Sequence, residues 1–261
     1  MVWDELEKAL DVELKDYKNA KNLLSFFRKD KQVNHLQEMS NCITVHRLGF
    51  SDHGRIHARI VALNALKSLH LLKNRGIVPN IVAEHRKAKF EDSIEIVLVA
   101  SFLHDIGNSI NRQNHELLGM TLARDILARL YPASDEITER KKLMVMEAIL
   151  CHMGNYVPTS IESKLVALAD GCDMQSGRAR LPYDSGRKDI YNLSALAIDK
   201  VRIRDGEKKP IKVELELNSS AGIFQVEEIL LKKIKGVQFE KYVEVSAFIN
   251  SRNETISYLT D

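Results

Sequence analysis

The stretch SIEIVLVASFLHD at 93–105 constrains this chain more than any other. From Ile94 to Leu103 it is apolar on every face, Glu95 and Ser101 excepted. A helix of that kind is buried in a core or in a membrane. A membrane span needs about 20 apolar residues, and this run is far shorter. It reads as a buried core helix that ends on an ionisable pair, His104-Asp105. Buried ionisable groups are paired or metal-bound, because an unpaired one costs several kcal/mol.

Helical spacing dominates the first two-thirds. Residues 3–28 place Leu6, Leu10, Leu14, Tyr17, Leu24 and Phe27 at threes and fours, which predicts one long amphipathic helix. Ile56, Ile60, Leu63, Leu66 and Leu69 predict another over 55–74. Further helices are expected near 32–43, 91–105, 114–131, 135–152 and 159–172. Asp135 and Ser160 are the expected N-caps, with Glu162 near a capping-box position. The pattern changes near residue 175. SGRARLPYDSGRKD at 176–189 reads as a linker or ordered loop. Ala197–Ile203 and Ile211–Leu217 then alternate at the strand period, with Asp205-Gly206-Glu207 as the turn. A helix over 221–234 and a third strand over 239–249 follow. The expected fold is mainly α, a helical bundle with a small C-terminal α+β domain in β-β-α-β order. The expected division is a helical extension at 1–45, a metal-binding helical domain at 46–175, a basic linker at 176–194 and the α+β domain at 195–261.

Among 261 residues, Lys+Arg number 38 against 36 Asp+Glu, a formal charge of +2. That balance disfavours nucleic acid and acidic membranes as partners. Cys42, Cys151 and Cys172 form no C-x-x-C, which argues against a disulfide framework and a cysteine zinc site. The first 30 residues show no apolar leader. The expectation is a cytoplasmic protein with reduced thiols and no membrane partner.

The histidines carry the chemistry. His53 and His57 lie one helical turn apart in DHGRIHARIV. His115 stands in NHELLG, His152 in ILCHMG and Asp170 in VALADGCD. Each interrupts or ends an apolar helix. Imidazole with carboxylate suits Mn, Fe, Co, Ni or Zn better than Ca or Mg. One carboxylate can also bridge two such ions about 3.5–4 Å apart.

Three separated motifs resemble the HD-domain superfamily of metal-dependent phosphohydrolases, whose pattern is H…HD…D. They are His57-Ala58-Arg59-Ile60-Val61, SFLHDIGN at 101–108 and KLVALAD ending on Asp170. The resemblance covers about residues 48–175. It implies an all-α bundle in which His57, His104, Asp105 and Asp170 hold one divalent metal. His115 and His152 resemble the added ligands of dinuclear members, with Asp105 as bridge; the alternative is that they face substrate. The implied cofactor is one or two divalent transition metals per chain. The implied reaction is hydrolysis of a small phosphoester (a nucleotide, dinucleotide or related metabolite) by a metal-activated hydroxide, with Asp105, His115 and His152 catalytic. The GYP extension of cyclic di-guanylate hydrolases is missing. So is the H-D-x-x-E-D pattern of guanosine tetraphosphate hydrolases. A metal-dependent nuclease on single-stranded nucleic acid is one alternative, and a non-catalytic nucleotide- or metal-binding regulatory module is another.

Arg55, Asn108 and Arg112 are candidates for substrate phosphate, with a solvated surface as the plain alternative. Arg178 and Arg180, in the basic loop with Arg187 and Lys188, could clamp an anion because guanidinium matches phosphate bidentately. Asp173, one turn beyond Asp170, either braces the ligands or is exposed. His53 is expected to shape the turn before its helix. His35, His46, His70 and His85 read as surface or ordinary core. The N-terminal apolar stripe packs on the bundle or makes a homo-oligomer.

Overall fold

The computed structural model of the chain describes residues 3–175 and 189–259. Helices α1 (Trp3–Glu13), α2 (Lys18–Lys29) and α3 (Lys31–Asn41) open the chain, and a π-helical turn, Cys42–Arg47, extends α3. The bundle continues with α4 (Arg55–Asn74), α5 (Asn80–Glu84), α6 (Phe90–Leu103), α7 (His115–Leu130), α8 (Glu136–Cys151) and α9 (Ile161–Gly171). Helix α6 is the central element. It packs against α2, α4, α8 and α9, and Ser93 to Leu103 are all buried. Glu95 tolerates this burial because it accepts from Lys141 Nζ at 2.8 Å. No helix among the described residues is long and apolar enough to cross a membrane.

The single helix expected over 3–28 is two helices. The chain breaks at Tyr17, whose backbone is extended (φ −119°, ψ 94°). The reason is packing: α1 lies against α4, whereas α2 lies against α6. Tyr17 at the corner stacks on His70 with ring centroids 5.8 Å apart. Asp135 and Ser160 cap as expected, accepting from Thr138 N and Ser163 N. Glu162 is not part of a capping box. It is buried and accepts from Asn80 N, Ile81 N and Ser93 Oγ, so it caps α5 and ties α9 to α6.

The C-terminal part is an α+β unit, with one strand more than expected. Helix α10 (Ile190–Leu196) leads into β1 (Ile198–Asp205) and β2 (Ile211–Leu217). Helix α11 covers 223–236, with a π-helical middle at Val226–Leu231. Strands β3 (Val243–Ile249) and β4 (Glu254–Tyr258) close the sheet in the order β1-β2-β3-β4. The β2–β3 pair is parallel, as a helical crossover requires, and the outer pairs are antiparallel. Val213, Leu215, Leu217, Val245, Ala247 and Ile249 are buried, while Val201 and Ile203 on the edge strand β1 are half-buried. Buried apolar side chains from α1 to β3 form one continuous core.

Candidate metal centre

Five helix ends deliver six side chains to one place. His57 comes from the first turn of α4, and His104-Asp105 follow α6. His115 starts α7, His152 follows α8, and Asp170 lies in the last turn of α9. The glycine after the doublet makes this convergence possible. A Cβ on Gly107 would sit 1.9 Å from His115 O and 2.5 Å from Gly119 N. Only glycine lets the 3-10 turn Ile106–Ser109 lie directly on the backbone of α7.

The six donors form a row divided by Asp105. Its Oδ2 lies 3.2 Å from His57 Nε2 and 3.4 Å from His104 Nε2. Asp170 Oδ1 closes that half, 3.2 Å from His57 Nε2 and 3.8 Å from His104 Nε2. The other oxygen of Asp105, Oδ1, lies 3.3 Å from His115 Nε2 and 3.6 Å from His152 Nε2. Two donors at right angles around an ion with bonds of about 2.1 Å are separated by about 3.0 Å, and tetrahedral donors by about 3.4 Å. Most pairs in both halves show this spacing, with His104–Asp170 at 3.8 Å and His152–Asp105 at 3.6 Å somewhat wider.

The outward nitrogens set the tautomers. The Nδ1 atoms of His104, His115 and His152 lie 2.8, 3.0 and 2.7 Å from the carbonyl oxygens of Ser101, Arg112 and Ile149. A carbonyl only accepts, so each Nδ1 is the protonated nitrogen and each Nε2 turns its lone pair to the row. His57 Nδ1 meets the Asp173 carboxylate at 2.6 Å. The Nε2 atoms of His57 and His104 are 3.0 Å apart, and those of His115 and His152 3.1 Å apart. Lone pairs at that distance repel unless a cation lies between them. Asp105 Oδ2 is also buried without a hydrogen-bond donor. The donor set therefore fits divalent metal.

Electrostatics agrees with that fit. Burial alone would push the Asp105 carboxyl up, but the surrounding imidazoles, His104 first, hold it well below the usual carboxylate range. Burial likewise opposes ionisation of Asp170, and the Lys233 ammonium and His57 overcome it. Burial pushes the His152 imidazole down to about 4, so this ring is neutral at physiological pH. Burial raises the thiols of Cys151 and Cys172 above their usual range, so these cysteines are core residues.

A cavity of about 520 Å³ opens onto the row, between the bundle and the C-terminal unit. Asp105, Asp170, His53 and Arg112 line it from the bundle, and Tyr191 and Lys233 from the C-terminal unit. Of the expected phosphate binders, Arg112 is in place. Arg55 is not: its guanidinium lies 5.2 Å over the Trp3 ring and 3.5 Å from Glu38, away from the cavity lining. Asn108 is wholly buried and faces inward. Its Nδ2 donates to Asp105 Oδ1 at 2.9 Å, and its Oδ1 accepts from Arg112 Nη1 at 3.3 Å. It orients Asp105 and does not meet the cavity. Arg178 and Arg180 lie outside the described residues. His53 lines the cavity, with its ring 5.7 Å from that of His57. Asp173, whose role the sequence left open, braces His57. Lys233 was missed altogether.

Comparison with known proteins agrees with this geometry. The HD domain pattern matches residues 56–175. An uncharacterized protein of Methanocaldococcus jannaschii is 40% identical over 234 residues, covering 89% of this chain and 90% of the relative. Ribonuclease Y of Symbiobacterium thermophilum is 32% identical over 107 residues, 40% of this chain but only 19% of that enzyme. No solved structure matches the chain. With its H…HD…D residues gathered at the centre of the bundle, the chain belongs to the HD-domain superfamily of metal-dependent phosphohydrolases.

Proposed function

We propose that the chain is a two-metal phosphohydrolase acting on a small phosphoester. The carrying observation is that the two oxygens of Asp105 face two separate imidazole pairs. His57, His104, Asp105 and Asp170 would hold one ion, and Asp105, His115 and His152 the other. The donor chemistry admits Mn, Fe, Co, Ni or Zn. Bound metal lowers the pKa of water and neutralises phosphate charge. The chain itself positions the reactants. Backbone carbonyls fix three imidazoles, Asp173 fixes the fourth, and Asn108 orients the shared carboxylate. Arg112, beside His115 at the cavity wall, would take a phosphate oxygen. A cavity of about 520 Å³ suits a nucleotide-sized substrate, within the roughly 300–1,000 Å³ of small-molecule sites.

The test is metal content by elemental analysis on chelator-free, anaerobically purified protein, followed by a panel of phosphomonoesters and phosphodiesters. Two transition metals per chain and turnover of at least one small ester are expected. Protein without metal, unrestored by Mn²⁺ or Fe²⁺, would sink the reading. The likeness to Ribonuclease Y favours a second reading, cleavage of single-stranded nucleic acid. A labelled oligonucleotide with Mn²⁺ separates the two.

A further inference from the structure

We propose that Lys233 is a phosphate-binding residue of the active site, so that the C-terminal α+β unit completes the site. This rests on the phosphohydrolase reading above. Lys233 lies on α11, yet its Nζ pairs with Asp170 Oδ2 inside the bundle. Asp170 thus spans two groups: Oδ1 faces His57 and His104, and Oδ2 faces Lys233. The lysine stands one carboxylate away from the donor row. Its side chain is 11% exposed and lines the cavity. Three N–H donors have one acceptor among the described residues, Asp170. The adjacent lysine behaves differently. Lys232 is 65% exposed and paired with Glu228 one turn back on its own helix. Both lysines line the cavity, but Lys232 pairs with Glu228 at its exposed rim, while the less exposed Lys233 pairs with Asp170 of the donor row.

The docking of α11 is close enough to make this position specific. A Cβ on Gly171, the residue after Asp170, would lie 3.2 Å from Lys233 Cδ, so the glycine clears a path for the lysine stem. A Cβ on Gly236, at the end of α11, would lie 3.3 Å from Gly154 O. Gly154 follows His152 closely in sequence and has φ +80°. The C-terminal unit therefore touches the bundle beside both ends of the donor row. Arg112 stands by His115, and Lys233 by Asp170. A phosphate over the row would meet one cation at each end, and charge-assisted hydrogen bonds are the strong ones. The rival is a purely structural role, in which Lys233 only neutralises Asp170.

The experiment uses the full chain as wild type, Lys233→Arg and Lys233→Met, loaded with Mn²⁺. Metal content, thermal melting and binding of inorganic phosphate by equilibrium dialysis are read on each. The expected result is equal metal content, phosphate binding weakened about tenfold or more in Lys233→Met, and recovery in Lys233→Arg. Equal phosphate affinity in all three would overturn the proposal, as would a wild type that binds none. Loss of metal with no recovery by arginine would assign Lys233 the structural role and also overturn it. Should Lys233→Met fail to fold, Lys233→Gln against Lys233→Arg repeats the comparison. Turnover is measured separately on the wild type. Phosphate held through Lys233 without turnover of any ester would sink the hydrolase reading alone; turnover with no effect of Lys233 on phosphate would sink this proposal alone.

Discussion

The two halves of the donor row are built to different strengths. The first has two imidazoles and two carboxylates; Asp173 braces His57, the Ser101 carbonyl braces His104, and Lys233 pairs with Asp170. The second has two imidazoles and a single oxygen of Asp105; its rings rest on backbone carbonyls, with Glu116 Oε2 also 3.3 Å from His115 Nδ1. A carboxylate behind an imidazole raises its basicity and its hold on metal. Fewer protein donors leave more positions for water and substrate, which is how catalytic sites differ from structural ones. The first half should therefore bind tightly and anchor, and the second should bind weakly and exchange.

Asp105 is the element the halves share, so its loss should have the largest effect. Asp105→Ala is expected to lose both metals and to bring turnover to background, read by elemental analysis and ester hydrolysis. Retention of one metal at full occupancy would show that the halves are independent. Gly107→Ala should act more selectively. The added methyl meets His115 O at 1.9 Å, so α7 must shift, and overpacking of this kind costs about 1–3 kcal/mol or more. Expected are a lower melting temperature and one metal per chain instead of two. Unchanged melting with two metals retained would refute the close-packing account.

The same contrast explains what the sequence could convey. The six donors were legible because each ends or interrupts an apolar helix, and because the family motifs fix their order. The burial of α6 was legible because an apolar run without a polar face has one place to go. Arg55 precedes His57 by only two residues, yet its side chain leaves the site toward Trp3. Asn108 is folded beneath Asp105 by the 3-10 turn, which no local pattern announces. The break between α1 and α2 is invisible to periodicity, since Leu14 and Tyr17 continue the stripe across it. Strand β4 is five residues, too short to alternate convincingly. Lys233 had no local signal at all: KKIKG is an ordinary helix end, and only the docking of α11 on α9 turns one of its lysines inward.

Acid should separate the halves in metal-free protein. Burial lowers the His152 imidazole from 6.5 to about 4. Between those values the unfolded chain binds a proton that the folded chain does not, so stability rises with pH. His152's contribution is complete above about pH 6.5 and is lost as pH falls toward 4. Asp105 and Asp170, both held below 3.8, act in the same direction at lower pH. Urea unfolding of chelated protein at pH 7 and 4.5 should show a loss on the order of 2–3 kcal/mol that His152→Asn lacks. Equal losses in both proteins would place the acid sensitivity elsewhere.

Asp173→Asn is the finest test of the contrast. The substitution keeps the shape and an oxygen that can accept from His57 Nδ1, but it removes the charge. His57 would then be braced by a neutral acceptor, as His104 already is by the Ser101 carbonyl. Outer partners of metal-binding histidines are worth about 10–100-fold in affinity. The lower end is expected here, because the hydrogen bond itself survives. Competition against a chromophoric chelator should show the tighter of two binding phases weakened about tenfold, with the weaker phase unmoved. If both phases weaken equally, Asp173 supports the whole row and not one half. If neither moves, the carboxylate serves only to set the His57 tautomer, and the tightness of the first half comes from its second carboxylate, Asp170.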